Sequence, residues 1–200
     1  MAQLRSQIQL LRCKVENEDR FFIPYQPLYK LMTRDRVLDA LKECEGIHGY
    51  HLDEIVKRIV KGGQRIFAIL VLLKGEERLI SRFIEYDHLQ RSPLDVKLPF
   101  AKETLNFIIP EDTARDFYEK QWEFVAPIFS RKVVHRLFHD EIRLPFAKNK
   151  EISEGGFGIV YEIEFNTDHQ RIPPFSQDGV SYWCHHVFNP LLKFYRKNYG

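Results

Sequence analysis

Apolar residues recur every three or four positions through much of the first half of the chain, which is the pattern of amphipathic α-helices. The first stripe predicts a helix over residues 2–18 and consists of Leu4, Ile8, Leu11 and Val15. Charged residues interrupt these apolar positions, so we expect the stripe to pack against a protein core rather than a membrane.

Residues 33–86 contain further helical stripes that are separated by glycines. Thr33 can cap the first of these helices, and Gly62 with Gly63 is expected to end a later one. The run Ile66–Leu73 fits a buried strand or a buried helix by periodicity, and the helical patterns on both sides favour a helix. Because no fixed period recurs, the region is predicted to be a small helical array.

The second half of the chain combines one more helix with β-like patterns. Asp112 or Thr113 can cap a helix over 112–126. Weak alternation over 133–138 and stronger alternation over 150–165 predict strands. The sequence therefore predicts an α+β fold with a mainly helical N-terminal region.

The pentapeptide LPFAK occurs twice, at Leu98–Lys102 and at Leu144–Lys148. A duplicated unit would explain the repeat, but the flanking sequences do not match. A proline between two large apolar residues is also suited to anchoring an incoming loop in a core. We therefore interpret the two copies as shared packing chemistry.

Composition limits the classes of function. The chain has 200 residues, 44% of them hydrophobic, which is enough for one sizeable core or two small ones. A net charge of +2 indicates no strong field for nucleic acid. Cys13, Cys44 and Cys184 are odd in number and lack metal-site spacing, which favours reduced thiols and an intracellular, cytoplasmic protein. No signal-peptide core or membrane-length apolar run is present, so no membrane role is expected.

The candidate ligand-binding residues lie in a glycine cluster within the stretch KEISEGGFGIVYEIE, residues 150–164. It aligns with the kinase pattern G-x-G-x-x-G-x-V, with Ser153 in place of the first glycine. Glycines at a hairpin turn let backbone N–H groups approach nucleotide phosphates, and the alternative is an ordinary hairpin with a glycine bulge. The candidate nucleotide-binding residues are Ser153, Glu154, Gly155, Gly156, Phe157, Gly158 and Val160.

This stretch, with LPF at Leu144–Phe146 and an upstream segment containing Trp122, resembles a family of fungal protein-kinase-like proteins that have a helical region before the kinase lobe. The upstream segment continues with Ala126, Pro127 and Phe129. The resemblance covers about residues 20 to 170, and it is most specific over 144–169. It implies ATP as the ligand, and Mg²⁺ for a complete kinase. The implied division is a helical interaction or regulatory region over 1–130, the start of a kinase N-lobe over 131–170, and an irregular tail over 171–200.

Phosphoryl transfer requires more than the glycine loop, namely a lysine on the third strand, an acidic partner, H-R-D and D-F-G. Both His135-Arg136-Leu137 and Asp116-Phe117-Tyr118 precede the loop and lack the required residues. Lys193 approximates the strand lysine but follows a proline, which a central strand does not tolerate. His135 and His139 have the i, i+4 spacing of zinc proteases but no glutamate lies between them, so no metal ligands are predicted.

Two functions from different classes follow. The first is a protein-kinase family member of the Ser/Thr type, present as a fragment that ends early and is inactive. The alternative is a non-catalytic helical protein-interaction module, with an unknown protein partner and a vestigial glycine-rich hairpin.

Overall fold

The computed structural model describes residues 1–15, 18–44, 50–87, 92–130, 135–155, 158–171, 181–186 and 193–195. The fold is mixed α+β and mainly helical, which confirms the predicted fold class. The chain forms two compact units that are not continuous in sequence. The helical unit comprises Met1–Arg12 and Ile23–Val125, and the sheet unit comprises Cys13–Phe22 and Ala126–Gly200.

The helical unit is built from short helices, as the glycine-separated stripes predict. The helices within residues 33–86 confirm the predicted helical array. Two 3-10 turns, at Glu77–Leu79 and Leu94–Lys97, lie between helices of this unit. The described helices are α1 (Ala2–Leu10), α2 (Tyr25–Leu31), α3 (Arg34–Lys42), α4 (Tyr50–Val60), α5 (Gln64–Leu72), α6 (Ile80–Tyr86), α7 (Lys102–Ile108) and α8 (Glu111–Gln121). No helix among the described residues is long and apolar enough to cross a membrane.

Helix α5 occupies the centre of the helical unit. Every side chain from Ile66 to Val71 is fully buried, and α5 packs against α1, α2, α4, α6 and α8. A helix that is apolar on all sides is stable only when other elements surround it. The apolar run is therefore a helix, as its helical neighbours indicate.

Two predicted helix boundaries are wrong. Helix α1 ends at Leu10 instead of extending to residue 18, because Cys13–Lys14 forms strand β1 and pairs antiparallel with β2 (Phe21–Phe22). The helix predicted over 112–126 is α8, which ends at Gln121. Strand pairing ends α1, and the turn that follows ends α8, before the apolar stripe ends in each case.

One predicted N-cap is wrong, and another lies at its predicted position. Pro110 is the N-cap of α8, which places Asp112 and Thr113 inside its first turn. Thr33 is the N-cap of α3, but its side chain makes no capping hydrogen bond. Helix α4 ends just before Gly62 and Gly63, as predicted.

The sheet unit contains a five-stranded sheet with the order β4-β9-β8-β6-β5, and all of its described pairings are antiparallel. Strands β3 and β7 form a separate parallel pair. The strands are β3 (Phe129–Ser130), β4 (His135–Leu137), β5 (Phe146–Gly155), β6 (Gly158–Phe165), β7 (Gln170–Arg171), β8 (Ser181–His186) and β9 (Lys193–Tyr195).

The prediction of an irregular tail over 171–200 is wrong for β8 and β9. Strand β8 pairs along β6, and β9 pairs with both β8 and β4. An edge strand offers free N–H and C=O groups, so it can order a segment whose side chains follow no clear period. Residues 172–180, 187–192 and 196–200 lie outside the described residues.

The two LPFAK copies anchor different cores. In the helical unit, the Phe100 ring lies 5.5 Å from Phe83 and 6.2 Å from Phe117, and α7 follows. In the sheet unit, Phe146 begins β5 and its ring lies 5.4 Å from Phe165. One copy leads into a helix and the other into a strand, which agrees with shared packing chemistry.

Candidate nucleotide-binding hairpin

The glycine motif lies at the end of the hairpin that β5 and β6 form. Gly155 pairs with Gly158, Glu154 pairs with Ile159, and Ser153 pairs with Val160. The structure therefore brings these predicted residues together on adjacent strands. Gly156 and Phe157 lie outside the described residues.

Strand β5 contains two irregularities that β6 does not share. Glu151 pairs with Tyr161 and Ser153 with Val160, so Ile152 is an extra residue in β5. A second shift lies between Phe146 and Lys148. Such bulges increase the local twist and often lie next to functional sites. The bulge at Ile152 therefore changes the direction of β5 just before the glycine turn.

Aromatic packing fixes the base of the hairpin. Phe146, Ile163 and Phe165 are buried, and the Phe165 ring lies 4.5 Å from that of Phe129. At about 3.3 Å per residue, the glycine turn lies roughly 30 Å along the strand from Phe146. The turn thus belongs to the end of the hairpin farther from this core.

The strand next to the hairpin carries no lysine. Strand β8 pairs with β6, and His185 lies opposite Ile159. The sequence of β8 is SYWCHH, whereas a kinase needs its phosphate-binding lysine on this third strand. Lys193 lies on β9, one strand further away, and pairs with His186 and Leu137. The structure therefore does not bring Lys193 next to the hairpin.

The other short kinase-like matches have structural roles. Phe117 of the D-F-Y sequence is fully buried, and its ring stacks on Phe83 at 5.1 Å. His135, Arg136 and Leu137 form strand β4, which pairs with β9. His139 follows this strand and is exposed, and its Nδ1 accepts a hydrogen bond from the Glu141 N–H at 3.2 Å. No group of three or more histidine, cysteine or acidic side chains in the described part of the chain could hold a metal ion.

In the described part of the chain, two surface cavities are lined by residues of the helical unit. The larger, about 500 Å³, is lined by Arg34, Asp53, Glu54, Lys57, Val60 and Lys61. Its charges largely neutralise one another, because Arg34 pairs with Asp53 at 2.8 Å and Lys57 with Glu54 at 3.4 Å. The second, about 350 Å³, is lined by Met1, Arg5, Glu43, Cys44, Gly75, Glu77 and Arg78.

A buried carboxylate that the sequence pattern did not reveal caps α5. Asp95 is 2% exposed and accepts hydrogen bonds from the N–H groups of Arg65 at 3.0 Å and Ile66 at 3.1 Å. Burial raises the pKa of Asp95, while Arg65 and the two amides lower it. The first N–H groups of a helix have no acceptor within the helix. The Asp95 carboxylate provides this acceptor from 30 residues further along the chain. No local sequence signal indicates a cap from that distance.

A second buried carboxylate joins three elements of the helical unit. Asp87 follows α6 and is fully buried, and its carboxylate binds Arg58 of α4 and Lys97 of a 3-10 turn. The hydroxyl of Ser92 donates to the same group at 3.0 Å. Burial raises the pKa of Asp87, but Lys97, Arg58 and Ser92 together outweigh it and lower that pKa below its ordinary value.

The chain matches no protein-family model, no curated protein and no solved structure. A kinase-like interpretation thus depends on the glycine motif and on the strands that carry it.

Proposed function

We propose that this chain is a protein-kinase-like polypeptide whose glycine-rich hairpin contacts the phosphates of ATP, and that these 200 residues do not transfer phosphate. One observation carries the proposal. The glycine motif lies between two antiparallel strands, and a third strand follows beside the second, in the order β5-β6-β8. A kinase glycine loop requires this strand-turn-strand arrangement.

The chemistry of the hairpin is restricted to backbone contacts. Gly155 and Gly158 have no side chains, so the N–H groups of the turn can approach phosphate oxygens. Ser153 replaces the first glycine of the pattern and limits the closeness of that approach. Binding is expected to be weak, since small ligands need an enclosed pocket and a single hairpin provides one wall.

Titration of Mg²⁺-ATP into the isotope-labelled chain tests the proposal. Backbone amide signals of 153–160 should shift, with a dissociation constant weaker than micromolar. Gly155→Ala and Gly158→Ala should reduce the shifts, whereas Gly75→Ala in the helical unit should not. Micromolar affinity in calorimetry, or shifts that both hairpin variants retain, would contradict the proposal.

A second candidate function is the non-catalytic protein-interaction module. Phe107 is 82% exposed, Tyr86 is 42% exposed, and their rings lie 6.4 Å apart on the helical unit. Exposed aromatic pairs are common at interfaces. A photoreactive phenylalanine analogue at position 107 tests this function, with the same analogue at exposed Glu119 as the control. A discrete protein cross-link at 107 alone favours the module.

A further inference from the structure

Ser92 lies beside a buried charge cluster in which, among the described residues, two cations bind one carboxylate. Its Oγ donates to Asp87 Oδ1 at 3.0 Å, and Lys97 Nζ binds the same oxygen at 2.7 Å. The second carboxylate oxygen of Asp87 binds the Arg58 guanidinium. Asp87 is fully buried, whereas Ser92 is partly exposed. Two cations thus share one carboxylate, directly next to a serine hydroxyl.

The sequence marks the same serine. Ser92 precedes Pro93, and this is the only serine-proline or threonine-proline dipeptide in the chain. Proline-directed protein kinases select serine or threonine by the proline that follows it. The proline favours an extended conformation of the preceding residue.

We propose that Ser92 is a phosphorylation site for a proline-directed protein kinase, and that the phosphate competes with Asp87 for Arg58 and Lys97. The γ-phosphoryl group of ATP is transferred to Ser92 Oγ, the hydroxyl proton passes to the catalytic base of that kinase, and ADP leaves. The acceptor oxygen already lies within one hydrogen bond of the carboxylate that holds both cations.

Phosphorylation reverses the charge balance of the cluster. A phosphoserine carries about −1.5 to −2 charges at pH 7 and three acceptor oxygens, which bind arginine and lysine strongly. With Asp87 still ionised, the anionic charge would exceed that of the two cations. Asp87 would lose part of its pairing at a position with no exposure to water, which is unfavourable.

The effect should extend to the start of α5. Lys97 belongs to the 3-10 turn Leu94–Lys97, and Asp95 of that turn caps α5 through Arg65 and Ile66. Movement of Lys97 towards a phosphate would disturb this turn. We therefore expect phosphorylation to loosen the connection between α4, α6 and the α5 cap.

Treatment of the full chain with a cyclin-dependent kinase and Mg²⁺-ATP tests the site. Peptide mapping by mass spectrometry should find one phosphate, on Ser92, and none in Ser92→Ala. Ser81→Ala, which alters a serine not followed by proline, should leave the modification unchanged. If a synthetic peptide spanning Ser92 is phosphorylated and the folded chain is not, the proposal is overturned.

The competition for cations has its own measurement. The ratio of folded to unfolded protein should fall by about tenfold on phosphorylation, as for other disturbances of a buried charge network. Amides of residues 94–97 and of Ile66 should exchange faster with solvent. Lys97→Met should reduce the difference between the phosphorylated and unmodified forms. Equal stability and equal exchange in both forms would overturn the proposed competition.

Discussion

Single buried polar residues determine several junctions in the helical unit. Gln121 is fully buried and forms two hydrogen bonds to the Phe100 backbone, at 2.7 Å from N–H and 3.0 Å to C=O. The Asp95 carboxylate likewise accepts hydrogen bonds from two backbone N–H groups in the first turn of α5. Each side chain satisfies backbone groups that would be costly to bury without a partner.

Asp95→Ala should lower the free energy of unfolding by about 2–4 kcal/mol, because it leaves two buried N–H groups unpaired. Asp95→Asn keeps one acceptor oxygen and should cost less. Urea denaturation at pH 7 measures both values. Asp112→Ala, at a side chain that is 96% exposed, is the matched control and should change stability by less than about 0.5 kcal/mol. Equal losses for Asp95→Ala and Asp112→Ala would contradict the capping role.

His169 should make the sheet unit sensitive to mild acid. The residue is 2% exposed, its Nδ1 lies 3.1 Å from the Pro127 carbonyl oxygen, and its ring meets Phe22 edge-on. Burial lowers its pKa from the ordinary value of 6.5, which outweighs the hydrogen bond to Pro127. Just below pH 6.5, the unfolded chain therefore binds more protons than the folded chain, and the free energy of unfolding decreases as the pH falls.

Urea denaturation at pH 7.5 and pH 5.5 checks this sign. The wild-type chain should be less stable at pH 5.5, and His169→Gln should reduce the difference while keeping an N–H donor for Pro127. His139→Gln, at an exposed histidine, should retain the wild-type pH dependence. A larger stability at the lower pH would contradict the prediction.

At the scale of elements, the sequence predicted the helices of 33–86 and the hairpin, since each shows its own apolar period. It did not predict β8, because pairing with β6 orders that strand. The bulge at Ile152 was also missed, since one inserted residue leaves little trace in an alternating pattern. The hairpin that carries the candidate residues was predictable because glycines at a turn have a direct steric purpose.

Amide exchange tests the order of the sheet. Strand β6 lies between β5 and β8, whereas β5 is at the edge of the sheet, so the amides of β6 should be more protected than those of β5. A chain shortened to end at residue 176 lacks β8 and β9 and should show faster exchange in β6. The amides of α5 are the control and should be unaffected. Unchanged protection of β6 would mean that β8 contributes no pairing.

The α4–α5 turn should not tolerate a side chain at Gly62. Its φ is +137°, and an added Cβ would lie 2.6 Å from the Pro93 Cβ. Gly62→Ala should therefore cost about 3 kcal/mol or more, combining backbone strain with a steric clash. Gly75→Ala is the control: φ is +86° there, but the space around the Cβ is open, so about 1 kcal/mol is expected. Thermal denaturation compares the two variants, and similar losses would contradict the steric argument.

At the scale of the whole molecule, we expect no phosphoryl transfer by this chain. The sequence after the glycine motif contains neither H-R-D nor D-F-G, and the strand beside the hairpin has no lysine. Positioning and charge stabilisation of the transferred group require all of these. Incubation with γ-labelled ATP and a general protein substrate should give no labelled product. Label transfer that Lys193→Ala abolishes would contradict this expectation.

The path of the chain between its two units affects how the protein can be divided. Residues 13–22 belong to the sheet unit although the segments on both sides belong to the helical unit. Within the sheet unit, Arg143 donates to the Phe21 carbonyl at 2.6 Å, and Phe22 packs on His169. A single cut near residue 125 would therefore separate the glycine hairpin from ten residues of its own folding unit. An autonomous hairpin fragment would need residues 13–22 joined ahead of residue 126, because residues 23–125 interrupt the sheet unit as an inserted domain does.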